Sequence, residues 1–305
     1  MDLAGYLNYV DTVLKDELHR VQECMDISTK RMVLEILQKE LILAHKNEIL
    51  TNKDFSRFIL EGKIYELQMM NAQLKRVNAS LELRKTWASY LKLRGEELLK
   101  EEIVAKKSFR VLEDILDFKK RQEDLLTKVF IDKEDHDQFK LVIKESFEHF
   151  LNLNSNVMAE FLAKFLDMHL KKTSTLGSDE ALEDLTNQVI QVFRYVKSKD
   201  VFEEFYARSL CRRLLLKKSA SQDSERSMIT KLKTECGDQF TAKVDGMLKD
   251  LSLSNQVMQE YRVVRGQGQD SELELHFNVL SQSSWPISAQ EQKEVQIPPH
   301  LATLQ

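Results

Sequence analysis

Proline and glycine are scarce in this sequence. All three prolines lie in the last twenty residues, from Pro286 onwards, and only eight glycines occur in 305 residues. Proline removes a backbone donor and clashes inside a helix, so its absence ahead of Pro286 allows long uninterrupted helices. A β-sandwich or barrel of this size needs many more glycine and proline turns. We therefore predict a mainly α protein over about its first 270 residues.

Paired cysteines, long apolar runs and an excess of one charge are also missing. Cys24, Cys211 and Cys236 show no CxxC spacing, which predicts a reducing compartment and no zinc site. No apolar run approaches the roughly 20 residues of a membrane span, and the N-terminus does not resemble a signal peptide. The net charge of −4 is unlike that of a nucleic-acid-binding protein. We expect a protein of the cytoplasm and nucleus that binds neither membrane nor nucleic acid.

A polar linker and helix-capping residues predict a domain boundary after the middle of the chain. The polar segment 171–178 is the clearest linker, and Ser178 is a predicted N-cap, so we place a domain boundary at 177. Asp200–Glu203 resembles a capping box that starts another helix. A further helix is predicted from about Ser221 to Cys236, with Gly237 as its C-terminal stop. Two short helices are predicted to follow, from about residues 240 and 254.

The hydrophobic period changes to two near the C-terminus. Over residues 272–280, apolar and polar residues alternate, which predicts a strand with one buried face. The apolar positions of this strand are Leu273, Leu275, Phe277 and Val279. A lone strand cannot satisfy its backbone groups. We therefore expect the sheet to be completed by residues outside this sequence or by another chain.

The sequence contains no convincing enzyme signature. The loop 266–268 lacks the third glycine of a dinucleotide site and has no strand before it. The acidic run 132–137 lacks the glycine and spacing of an EF-hand, and a solvated helix start explains it better. We expect no catalytic residues, no metal and no cofactor.

One basic cluster has two interpretations. Five cations occur in eleven residues: Arg208, Arg212, Arg213, Lys217 and Lys218. They can form a solvated face that also neutralises a helix C-terminus. They can instead form a docking surface for an acidic partner.

A set of short motifs occurs in the second half of the chain. The motifs are Asp200–Tyr206 with Leu210 and Arg213–Leu215, then Ser219–Ser221, Ser227–Ile229, Lys231–Lys233, Cys236–Gly237, Thr241–Lys243, Gly246–Met247, Lys249–Asp250 and Ser284–Pro286. Each motif is weak alone, but the set is specific, and it resembles the cullin family, most closely the cullin-four type. The similarity is strongest over residues 155–305 and weaker upstream, where 112–119 resembles one cullin stretch.

The resemblance implies a non-catalytic scaffold of a ubiquitin ligase. The implied architecture is an elongated stalk of helical repeats over 1–177, a four-helix bundle over 178–269 and the start of a small α/β sheet over 270–305. A RING-finger protein would add a strand beside Leu273, Leu275, Phe277 and Val279. The basic surface of Arg208, Arg212 and Arg213 would recruit a ubiquitin-conjugating enzyme.

The resemblance also implies parts that this sequence does not contain. The helices that bind a substrate adaptor, and the lysine modified by neddylation, belong to cullin regions outside it. Composition alone equally allows a helical tether or assembly protein without a ubiquitin role. A RING-finger partner would distinguish the scaffold from that alternative.

Overall fold

The protein is built almost entirely from α-helices. The computed structural model describes residues 2–26, 28–51, 53–105, 108–172, 178–265 and 276–287. Its helices are α1 (Leu3–Cys24), α2 (Thr29–Leu37), α3 (Lys46–Thr51), α4 (Lys53–Glu61), α5 (Ile64–Arg76), α6 (Ser80–Ala105), α7 (Ser108–Val129), α8 (Lys133–Leu151), α9 (Ser155–His169), α10 (Asp179–Phe193), α11 (Lys199–Leu215), α12 (Gln222–Cys236) and α13 (Asp238–Arg265), with a π-helical segment, Gln38–Leu43, after α2. The predicted mainly α class is confirmed.

The chain forms two compact units. The first comprises residues 1–158 with 195–197, and the second comprises 159–194 with 198–305. The predicted domain boundary at 177 falls in 173–177, outside the described residues, so it stays a prediction. The predicted four-helix bundle of 178–269 stays a prediction as well.

The core of the first unit centres on Trp87 of α6. Its indole makes edge contacts with Phe55 of α4, and with Phe130 and Phe139 at centroid distances of 5.5 and 5.6 Å. Its Nε1–H donates to Gln122 of α7 at 3.3 Å, so the buried indole nitrogen has a partner. The contacts of this one indole therefore join α4, α6, α7 and α8.

Helices α6 and α8 approach closely at a glycine. Gly95 of α6 is buried, and a Cβ atom placed on it would collide with the Phe150 ring of α8. Glycine inside a helix costs about 1 kcal/mol relative to alanine. Here the missing side chain makes room for an aromatic ring, and that packing compensates for the lower helix propensity.

The acidic run that begins α8 is paired with a lysine. Lys75 of α5 donates to Asp132 at 2.7 Å and to Asp135 at 2.8 Å. The Lys75 hydrogen bond lowers the pKa of Asp132 and favours its charged form. Two residues of this run therefore form an inter-helix salt bridge with Lys75; the run does lie at a helix start, as predicted, but Asp135 is buried and not solvated.

The second unit contains α10 to α13. Helix α12 packs on α10 and α13, and α11 packs on α13. Ser178 and Ser221 cap α10 and α12, each accepting a backbone N–H, and Gly237 ends α12 with a φ of 86°. These predicted helix ends are confirmed.

Two predictions about this unit are wrong. Residues 238–265 form the single helix α13, where two short helices were predicted. Helix α11 begins at Lys199 after Ser198, so Asp200 lies in its first turn and is not the N-cap. An acidic residue there still interacts favourably with the helix dipole.

Within the described residues, none of the helices is both long and apolar enough to span a bilayer.

Candidate partner-binding surface

The predicted strand region lies along one face of α13. Three α13 residues spaced four apart, Gly246, Asp250 and Ser254, share one stripe of the helix. They contact the segment 276–287, which runs antiparallel to α13, so later residues of the segment meet earlier residues of the helix. We call this set of contacts the α13 clamp.

Asp250 provides the strongest part of the clamp. One oxygen of its carboxylate, Oδ2, accepts the Ser281 backbone N–H at 2.8 Å, the Ser281 hydroxyl at 2.7 Å and the Trp285 indole N–H at 2.8 Å. Hydrogen bonds from Ser281, followed by that from Trp285, lower the pKa of Asp250. Because each donor favours the charged carboxylate, the segment and the charge stabilise each other.

Ser254 holds the backbone of Val279. The Ser254 hydroxyl oxygen accepts the Val279 N–H at 2.8 Å and lies 3.1 Å from the Val279 carbonyl oxygen. Ser254 is 1% exposed, so this contact is shielded from water. A buried hydroxyl needs hydrogen-bond partners, and Val279 supplies one.

Gly246 and Trp285 lie at the end of the clamp that is closest to the N-terminus of α13. A Cβ atom on Gly246 would lie 2.9 Å from the Ser284 Cβ, closer than two carbon atoms can approach. The segment can therefore rest directly on the helix only because residue 246 has no side chain. Trp285 is buried beside it.

The structure describes only part of the predicted strand-addition site. Leu273 and Leu275 lie outside the described residues. Phe277 packs its ring against Tyr261 of α13 at 5.8 Å, and Val279 is 47% exposed. Residues 276–280 are not in a β-strand in this structure, and the α/β sheet implied by the resemblance is not shown.

The three arginines that were predicted to form one basic surface do not all lie on the surface. Arg208 and Arg212 of α11 are exposed, and Arg208 pairs with Glu204 one turn earlier at 2.6 Å. Arg213 is buried, with 0% of its side chain exposed. The prediction is therefore corrected for Arg213, which cannot contribute to a docking surface.

Arg213 is instead the centre of a buried ion-pair network. Its Nε and Nη2 donate to the two carboxylate oxygens of Glu225 at 2.7 and 2.9 Å, and its Nη1 donates to Asp167 at 2.7 Å. The Ser219 hydroxyl donates to the same Glu225 at 2.7 Å. The guanidinium carbon also lies 5.6 Å from the Tyr206 ring centroid.

The network joins three stretches of the second unit. Asp167 lies in α9, Arg213 in α11 and Glu225 in α12. Burial acts to lower the pKa of Arg213, but the hydrogen bonds and charge of Glu225 outweigh burial and raise it. Burial, followed by the Glu225 charge, raises the pKa of Tyr206. The arginine therefore stays charged and the tyrosine stays neutral.

A helical pattern in the sequence could have revealed the burial of Arg213. Tyr206, Leu210 and Arg213 follow one another at intervals of four and three, which places all three on one face of α11. The two other members of this face are apolar or aromatic. The helical pattern gave no comparable signal for the clamp, because glycine, aspartate and serine in a helix are not usual contact residues. Gly246, Asp250 and Trp285 did belong to the short motifs of the sequence analysis.

Within the described residues, no group of three or more histidine, cysteine, aspartate or glutamate side chains is placed to hold a metal ion. A cavity of about 460 Å³ in the first unit lies between α7 and α8 and is lined by Leu126, Ile143 and Tyr195 among others. Its charged lining residues, Glu123, Asp137, Lys140 and Lys144, balance in sign. This lining gives no indication of a particular ligand.

Comparison with known families gives a match that covers most of the chain. Residues 1–258 match the family model described as the cullin alpha solenoid domain.

Individual relatives agree with this match. Cullin-4 of Dictyostelium discoideum is 37% identical over 282 residues, which are 92% of this chain and 34% of that protein. Cullin-4A of Mus musculus is 34% identical over 306 residues, which are 100% of this chain and 39% of that protein. Cullin-3 of D. discoideum is 34% identical over 92% of this chain. The chain therefore spans between a third and two fifths of the length of these relatives.

Proposed function

Because this chain belongs to the cullin family and is a mainly helical solenoid, we propose that it is the scaffold of a cullin-RING ubiquitin ligase. In this proposal it binds a RING-finger protein and holds a ubiquitin-conjugating enzyme at a fixed distance from substrate. The transfer chemistry belongs to these partners. The observation that carries the proposal is the family match over residues 1–258.

The proposed RING-binding surface is the segment that contains Leu273, Leu275, Phe277 and Val279. Addition of a strand gives affinity through main-chain hydrogen bonds and specificity through alternate side chains. Support comes from the exposed Val279 side chain and from the clamp, which holds the neighbouring backbone on a rigid helix. A pre-positioned segment loses less conformational entropy on binding than a free one.

The proposed surface for the ubiquitin-conjugating enzyme retains Arg208 and Arg212 and omits Arg213. Both retained side chains are exposed, as docking to an acidic partner requires. Exposed cations of this kind mainly accelerate association, and salt weakens the effect. The substrate adaptor is proposed to bind outside this chain, and the location in cytoplasm and nucleus stays a prediction.

Co-purification with a RING-finger protein tests the proposal. We expect the full chain to retain a RING-finger protein, and we expect Leu275→Asp with Phe277→Asp to abolish retention. The control is Leu253→Asp, which places one such carboxylate on a half-exposed apolar residue of α13. Undiminished retention by the double variant would refute strand addition. Self-association without any RING partner would favour the helical tether instead.

The enzyme surface has its own test. Replacement of Arg208 and Arg212 by glutamate should slow association of the conjugating enzyme, most strongly at low salt. Arg226→Glu is the control, because Arg226 is an exposed arginine on α12. Equal slowing by the control would show a general charge effect and contradict a localised surface.

A further inference from the structure

A short antiparallel contact in the second unit brings together lysines that are distant in the sequence. Lys171 and Ser219 form an isolated β-bridge. Beside it, the Lys172 N–H donates to the Lys218 carbonyl at 2.9 Å. The contact therefore places Lys172, which follows α9, opposite Lys218, which follows α11. Like charges opposite each other in such a pair repel, so this arrangement of lysines does not stabilise the fold by itself.

The side chains of Lys172 and Lys218 face the solvent. Ser219 points inward, since its hydroxyl donates to the buried Glu225 at 2.7 Å. Successive side chains of an extended chain point to opposite faces, so Lys218 points outward, and Lys172 opposite it does the same. Both lysines are exposed. Within the part of the chain that the structure describes, neither forms a salt bridge.

Lys217 adds a third charge at a position that favours glycine. Hydrogen bonds from the Lys217 N–H to the Leu214 carbonyl and from the Lys218 N–H to the Arg213 carbonyl, at 3.1 and 2.8 Å, close the C-terminus of α11. Lys217 has a φ of 53°, which residues other than glycine rarely adopt. Both α9 and α11 end here, and the negative ends of their dipoles offset part of the repulsion between the lysines.

An exposed leucine lies beside these lysines. Leu216 directly precedes Lys217, and 60% of its surface is exposed. We call Lys172, Leu216, Lys217 and Lys218 the lysine patch. An acidic peptide would neutralise the charges but would leave the leucine without a role. A bilayer with anionic lipids matches both features, because its headgroups attract lysines and its interface takes up apolar side chains.

We propose that the lysine patch attaches this chain to the surface of a membrane rich in anionic lipids, with the three lysines at the headgroups and Leu216 in the interface. Each lysine near such a surface strengthens binding about fivefold, so the attachment is weak, reversible and sensitive to salt. It goes beyond the proposed scaffold function. It also differs from the absence of membrane binding expected from the sequence, in which Lys172 is far from the other two lysines.

Sedimentation of the full chain with lipid vesicles tests the proposal. We expect binding to vesicles of equal parts phosphatidylserine and phosphatidylcholine, weakened by salt, and no binding to phosphatidylcholine alone. Replacement of all three lysines of the patch by glutamine should weaken binding by about a hundredfold. The matched control makes the same change at three exposed lysines of the first unit, Lys39, Lys85 and Lys120. Absence of binding, equal binding to both kinds of vesicle, or equal weakening by the two triple variants would overturn the proposal.

The variant Leu216→Asn tests the choice of a membrane over an acidic peptide. It should weaken vesicle binding about tenfold, because an apolar side chain is lost from the interface. The control Leu253→Asn changes a half-exposed leucine of α13 and should bind as the original chain does. All these positions are exposed, so the urea midpoints of the variants should stay close to that of the original chain. If Leu216→Asn binds vesicles undiminished, or if the chain binds a polyglutamate peptide and no vesicle, the partner is an acidic peptide and the membrane proposal is wrong.

Discussion

Removal of Arg213 should destabilise the second unit far more than removal of its neighbour. In Arg213→Met, Glu225 loses its cationic partner in a site where 0% of its side chain is exposed. Loss of one partner from a buried ion pair typically costs about 3–5 kcal/mol, because the other charge stays buried and uncompensated. Ser219 still donates to Glu225, so the lower part of that range is expected.

Tryptophan fluorescence during urea unfolding measures this cost. The sequence contains two tryptophans, Trp87 in the first unit and Trp285 in the second. A Trp87→Phe background therefore leaves one reporter in the unit that contains Arg213. With a urea dependence of about 1–3 kcal/mol per molar, a loss of about 3 kcal/mol lowers the unfolding midpoint by about 1 M or more.

Arg212→Met provides the matched control. It makes the same substitution one residue away at an exposed position, where changes usually stay within about 0.5 kcal/mol. The double variant Arg213→Met with Glu225→Met should cost less than the sum of the two single variants, because no stranded charge remains. Equal costs for Arg212→Met and Arg213→Met would refute the buried network.

Two further predictions concern packing and pH. Replacement of glycine by alanine normally stabilises a helix, but Gly95→Ala should destabilise the first unit by about 1–3 kcal/mol, because the new Cβ meets Phe150. The urea midpoint reported by Trp87 in a Trp285→Phe chain measures this loss. The control Ser89→Ala, on the exposed side of α6, should change the midpoint little. The lowered pKa of Asp250 contributes stability that is present above the ordinary carboxyl pKa of about 3.9 and lost as the pH falls through the lowered value. The clamp should therefore open only in acid, as a change in Trp285 emission that Asp250→Asn lacks; the same acid transition in both chains would contradict this.

Local signals in the sequence predicted the helix ends well. Ser178, Ser221 and Gly237 lie at caps in the structure because capping is decided by a few adjacent residues. The absence of proline likewise predicted the mainly α class. Both signals act within a turn or two of helix, where the sequence is directly informative.

Contacts between distant segments were not predictable in the same way. Two short helices were predicted over 238–265, yet α13 is continuous there, and the missing side chain of its Gly246 leaves room for Ser284. Arg213 carried the charge pattern of a surface residue, but its partners Asp167 and Glu225 lie 46 and 12 residues away. No local propensity contains such pairings.

In the predicted strand, a local feature was predictable from the sequence and a contact between distant segments was not. Its alternation was clear from the sequence, and the described residues 276–281 do lie along α13, held by hydrogen bonds of Val279 and Ser281. The hydrogen bonds come from helix side chains, so alternation indicated an extended backbone without identifying what pairs with it.

The close approach at Gly246 makes residues 246 and 284 a volume-limited pair. A methyl group added at position 246 would collide with the Ser284 side chain, so residue 284 must become smaller or the segment must move away from α13. The two positions should therefore change together: related chains with alanine at 246 should carry glycine at 284, and an engineer who wishes to strengthen α13 by removing its glycine must redesign a residue 38 positions further along.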